Sequence, residues 1–94
     1  MRMLLKAHLP SGAGDMTPAA RLETVRSALG AMKPEAVYFC AEDGDRTMLV
    51  VFDLPSPSDL PPLVDPFFRQ HAKVSVTPVM TLEDLQAGMQ KIKS

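Results

Sequence analysis

The sequence predicts an α+β fold, a four-stranded antiparallel sheet with helices on one face. Three observations predict it. Short runs of Val, Phe, Tyr and Leu alternate with longer segments whose apolar residues recur every three or four positions. The runs Ala36–Ala41 and Thr47–Leu54 flank Glu42-Asp43-Gly44-Asp45, which marks a central β-hairpin. The elements then follow the order strand, helix, strand, strand, helix, strand, with one further helix.

Leu4 to Leu9 is an apolar-rich run ended by Pro10 and Ser11-Gly12-Ala13-Gly14, a strand entering a flexible loop. Thr17 suits an N-cap and Pro18 a first helical residue. Leu22, Val25, Leu29 and Met32 then form a stripe that Pro34 closes. After the hairpin, Pro55-Ser56-Pro57-Ser58 stops the strand, and Ser58 is placed to cap a helix carrying Leu60, Leu63, Val64, Phe67 and Phe68. Pro61 and Pro62 fit its first turn. Pro66 removes an interior donor, so a kink or two short helical pieces are expected. Lys73 to Val79 alternates as a half-covered strand, and Pro78 places it at an edge or at its own end. Thr81 with Asp84 opens a last helix striped by Leu82, Leu85, Met89 and Ile92. Gly88 costs that helix about 1 kcal/mol relative to Ala, so it depends on packing against something.

This order is the split βαβ, or ferredoxin-like, pattern βαββαβ with an extra C-terminal helix. Right-handed crossovers set the strands as fourth, first, third, second, with both long helices on one face. Closing the hairpin pairs Ala41 with Arg46, Phe39 with Met48 and Val37 with Val50 on the helix side, together with Phe52. The opposite face carries Tyr38, Cys40, Thr47, Leu49, Val51 and Asp53, with Leu4, Lys6 and His8 from the first strand. Such a face needs cover, and the last helix is too short to supply it. Two copies packed face to face would bury the apolar residues and enclose a cavity lined by the polar ones. A homodimer is therefore expected.

With 94 residues, 46% hydrophobic and 22% charged, the chain supports one core, and residues 1–94 are read as a single ferredoxin-like domain. Ten Lys plus Arg against eleven Asp plus Glu, without clustering, argue against a nucleic-acid groove or an acidic-membrane surface. No apolar run approaches the roughly 20 residues that span a bilayer. The single cysteine, Cys40, cannot form an intrachain disulfide, and Met1 to Leu5 turn polar at Lys6 and His8 before a signal-peptide core forms. A reducing, cytoplasmic setting is expected.

Considered with its predicted uncovered face, the sequence resembles the dimeric α+β-barrel superfamily, which includes small monooxygenases and muconolactone isomerase-like proteins. The segments Lys33-Pro34-Glu35-Ala36-Val37-Tyr38-Phe39, Asp45-Arg46-Thr47-Met48-Leu49-Val50-Val51-Phe52-Asp53 and Pro78-Val79-Met80-Thr81-Leu82-Glu83-Asp84-Leu85 also resemble a widespread group of small uncharacterised bacterial proteins. The resemblance covers most of the chain after Lys33. It implies the fold and the dimer, and it carries no assigned activity onto these residues.

The candidate ligand site is the end of the open face where the first strand finishes: His8 near Thr47 and Ser75, with Lys6 and Tyr38 deeper and Cys40 on the neighbouring strand. His8 is the best catalytic candidate, since imidazole titrates near neutrality, and its bland role is to hydrogen-bond the adjoining loop. An acid–base pair with Asp53 fails within one subunit, because six strand residues put it roughly 20 Å away. Across a dimer the pair could re-form. Otherwise Asp53 bonds the Pro55-Ser56-Pro57 loop. Cys40 lacks any feature that would activate a thiol and reads as buried and inert. Tyr38 either orients a carbonyl or phenol or lies at the rim of the dimer core, and Lys6 meets an acidic ligand, or Glu42 or Asp53 of the second subunit.

Ser11-Gly12-Ala13-Gly14-Asp15 lacks the spacing and Lys of a phosphate loop and reads as a mobile loop, a candidate lid. No His, Cys and carboxylate set converges, so neither a metal nor a cofactor is expected. Met32, Met48 and Met89 fall at core phases, and Phe67 and Phe68 belong to the helix core or the dimer rim. Two main functions follow. The first is a homodimer binding a small organic molecule, with a metal-free monooxygenase- or isomerase-like activity as its catalytic form. The second is a non-catalytic dimerisation or protein-interaction module. A regulatory ligand sensor acting through another protein is a third.

Overall fold

Local chemistry accounts for where each element starts and stops. The computed structural model describes residues 1–9 and 17–92. Strand β1 (Arg2–Leu9) precedes helix α1 (Pro18–Met32), whose cap Thr17 accepts the Ala20 N–H on its hydroxyl at 3.1 Å. Pro18 stands at N1, where no donor is lost. Lys33 ends the helix in the left-handed region (φ 50°) and donates its N–H to the Leu29 carbonyl at 3.1 Å. The hairpin follows as β2 (Ala36–Glu42) and β3 (Asp45–Asp53), closed by Asp43 and Gly44 at φ 54° and 80°. Both central residues at positive φ match the twist of the strands they join.

The second helical region differs from the expected form. A short 3-10 turn (Pro57–Asp59) leads directly into α2 (Leu60–Phe68), and Ser58 lies inside that turn, its hydroxyl 3.0 Å from that of Ser56. Ser58 therefore caps nothing. The Leu60 N–H already bonds the Pro57 carbonyl, and Pro61 and Pro62 have no N–H, so the first turn leaves little for a side chain to cap. Pro66 divides nothing either: α2 runs through it to Phe68, with Val64 and Phe67 buried against the sheet. One lost bond is outweighed by that burial. Strand β4 (Lys73–Pro78) ends on its proline, and α3 (Leu82–Gln90) completes the order.

The sheet order is β2-β3-β1-β4 with every pair antiparallel, which is the predicted ferredoxin-like βαββαβ topology. The hairpin register is also the predicted one, Val37 opposite Val50, Phe39 opposite Met48 and Ala41 opposite Arg46. Alternation sends Leu5, Ala7, Met48, Val50 and Phe52 to one side, where Val25, Ala28 and Met32 of α1 and Val64 and Phe67 of α2 close the core. The other side has no covering layer among the described residues.

Three further expectations need correction. Phe39 is on the helix side but exposed, as is Leu22, because the core-forming residues of α1 begin only at Val25. Cys40 is exposed rather than buried, since β2 is an edge strand and Cys40 points to the uncovered face. Met89 is exposed at 58%, although Met32 and Met48 are in the core. The cause is general to α3: none of its residues is buried among the described residues. Phe67 is fully buried while Phe68 is exposed. The glycine-rich segment 11–15, read as a candidate lid, lies outside the described residues.

Candidate functional site

Strand pairing brings the candidate residues of the open face into two adjacent rows. Across the first run Cys40, Thr47, His8 and Lys73; across the second, Tyr38, Leu49, Lys6 and Ser75. A third row holds Ala36, Val51, Leu4 and Thr77. Ser75 thus stands opposite Lys6 rather than beside His8, whose neighbour on β4 is Lys73. The upper rows are mixed and the third is apolar at its centre.

Thr47 is 2% exposed, a buried hydroxyl on an otherwise open face. Its Oγ1 lies 3.3 Å from His8 Nδ1 and 3.2 Å from the Asp45 carbonyl oxygen. One hydroxyl proton cannot serve both. With that proton on the Asp45 carbonyl, His8 donates to the Thr47 hydroxyl through Nδ1–H. Lys6 Nζ donates to Glu42 Oε1 at 3.2 Å, with both side chains about one-third exposed. Lys6 therefore finds its carboxylate within its own chain, because the hairpin end of β2 brings Glu42 within reach across β3. Tyr38 and Ser75 are exposed, with no hydrogen bond recorded to either side chain among the described residues.

Asp53 lies at the opposite end of the sheet, paired with Arg2, and its Oδ1 accepts from the Met1 ammonium group at 2.8 Å. It does not meet His8 within the chain, as the strand arithmetic requires. Its partner is that ammonium group rather than the Pro55-Ser56-Pro57 loop. Nearby, Arg2 binds Glu35 at 3.0 Å and approaches Asp84 of α3 at 3.8 Å. The Glu35 carboxylate raises the Arg2 pKa further above its ordinary value. Bonds from Thr81, and more weakly Arg2, hold the Asp84 carboxyl below its ordinary range.

The sequence reading missed a groove of about 240 Å³ on the helix side, lined by Leu9, Leu22, Val25, Phe39 and Met48 together with Arg21, Arg46 and the candidate residues Cys40 and Thr47. Leu22 and Phe39 occupy apolar phases of their elements, and their shared exposure is the signal that locates it. Its volume is below the about 300 Å³ at which ligand pockets usually begin. A broad cleft along Pro61, Pro62, Asp65, Pro66 and Arg69 lies on the outer side of α2 and includes none of the candidate residues. Among the described residues, no three His, Cys, Asp or Glu side chains converge as metal ligands, and no helix is long and apolar enough to cross a membrane.

No protein-family model and no curated protein matches the chain. Nine chains of solved structures do match. Among them is a formyltetrahydrofolate deformylase from Pseudomonas putida KT2440, with a TM-score of 0.54 and 15% identity, covering 84% of this chain. The matched region is 29% of that chain's length. At this identity the likeness is one of fold, and it agrees with the ferredoxin-like topology described above.

Proposed function

We propose that the chain forms a homodimer of the dimeric α+β-barrel type, its sheets packed face to face around a cavity that holds a small organic molecule. The supporting observation is the open face, where Leu4, Leu49, Val51 and Tyr38 stand beside Lys6, His8, Thr47 and Ser75 with no cover among the described residues. Burial of its apolar centre contributes about 25 cal/mol per Å². The ligand that suits the face has an apolar or aromatic body lying on Leu49 and Val51. Its carbonyl or hydroxyl group meets the Tyr38 hydroxyl and His8 Nε2, with Cys40 at the rim. In a catalytic form, the His8 imidazole accepts a proton from the bound molecule's hydroxyl or activated C–H group. This reading takes residues 1–94 as one domain in a reducing, cytoplasmic setting.

One observation favours a second reading, a non-catalytic association module. Lys6 is already neutralised by Glu42 and His8 is already bonded to Thr47, so the polar groups of the face partly satisfy one another. Native mass spectrometry of the purified protein, with any bound compound released and identified, separates the two. A dimer carrying a compound whose binding His8→Ala weakens about tenfold or more supports the first reading. A dimer without any compound supports the second. A monomer at micromolar concentration overturns both.

A further inference from the structure

Helix α3 is amphipathic, and among the described residues none of its side chains is buried. Leu82, Leu85, Met89 and Ile92 form one stripe, continued by Met80, and all five are 46–69% exposed. The capping box at its start is complete: Thr81 Oγ1 accepts the Asp84 N–H at 3.1 Å, and Asp84 Oδ2 accepts the Thr81 N–H at 3.0 Å. A cap alone does not sustain nine residues, since isolated helices shorter than about 12–15 residues are marginal in water. The protein is also more extended than a compact chain of its length, with a radius of gyration of 15.5 Å against about 12.4 Å.

The root of α3 adjoins the open sheet face. Arg2 belongs to that face and lies 3.8 Å from Asp84, so the stripe begins where the face ends. The face by itself is small. Four strands spaced about 4.8 Å apart, paired over six to eight residues of about 3.4 Å, span roughly 450 Å² in projection, little more than half of the about 800 Å² per partner in a standard stable interface. We infer that α3 is an association arm whose Leu82, Leu85, Met89 and Ile92 stripe packs on a second copy of this chain and supplies the contact area the sheet face lacks. This deepens the homodimer reading and rests on it. Twofold symmetry makes each copy both donor and recipient of an arm. A membrane surface suits the stripe less well, because the described polar residues of the helix include Glu83 and Asp84, whereas an interfacial helix carries Lys and Arg.

Sedimentation velocity on the full chain, wild type against Leu85→Glu/Met89→Glu, tests the arm. The expected result is a dimer dissociation constant raised about a hundredfold or more, with unchanged thermal unfolding of the monomer, because no α3 residue belongs to the core. A wild-type dimer with an equally tight variant overturns the arm and leaves the homodimer standing. A monomeric wild type overturns the homodimer and the arm with it. If the double variant aggregates, hydrogen exchange on the wild type decides. Protection of amides 85–90 that grows with dimer concentration supports the arm, and protection that appears only on adding anionic vesicles or another protein overturns it.

Discussion

At Gly44 the backbone sits at φ 80°, and a Cβ built there would touch nothing within 4 Å. Any penalty for a side chain at that position is therefore conformational. Gly44→Ala is expected to cost about 1 kcal/mol, read as a shift in the urea midpoint without a change in slope. The Glu42-Asp43-Gly44-Asp45 turn was legible in the sequence because such chemistry is local. The same held for Thr17 and Pro18 at the start of α1. Ser58 misled because its role depends on the two prolines that follow it, which remove the donors a cap would serve. Cys40 and Phe39 misled for a different reason. Their sides of the sheet follow from alternation, but their exposure depends on whether another layer reaches the edge strand, and no single run of residues encodes that. Lys6 and Glu42 were both recognised, yet their meeting within one chain depends on how the hairpin brings strands β1 and β2 together across β3.

At the scale of elements, α3 is held at its start by one carboxylate. In the ionised form Asp84 accepts the Thr81 N–H, and this lowers its pKa relative to the unfolded chain. The sign follows directly. The contribution is fully present above the unfolded carboxylate value of about 3.9 and is lost as pH falls through the lower folded value. Far-UV circular dichroism is expected to show α3 intact from pH 7 down to about 4 and fraying below it, while Asp84→Asn removes that step. The stripe and cap of α3 were both visible in the sequence. That the stripe stays exposed among the described residues was not visible, because a helical period shows that a partner is needed without showing which surface provides it.

For the whole molecule, the topology was legible because hairpin pairing and crossover handedness leave few alternatives for this order of elements. Its surface was legible only as a deficit. Leu49 lies at the centre of the open face, between Tyr38 and Lys6. A charge there interrupts face-to-face packing without entering the core. Leu49→Glu is expected to shift the sedimenting species from about 20 kDa to about 10 kDa at micromolar concentration, with the far-UV spectrum of the sheet retained. An unchanged mass would count against association through this face.

Strand β2 occupies one border of the sheet, and from Ala36 to Ala41 it is neutral, free of proline and glycine, and rich in β-forming side chains. The other border is blunted by Pro78 at the end of β4. A border of this composition, with no further strand beside it among the described residues, can template strands from further molecules, and the charges nearest to it in sequence are Glu35 on one side and Glu42 with Asp43 on the other. Pairing along this seven-residue strand would join molecules while their cores remain folded. Raising the ionic strength, which screens those few carboxylates, is expected to favour strand-to-strand contact along this border.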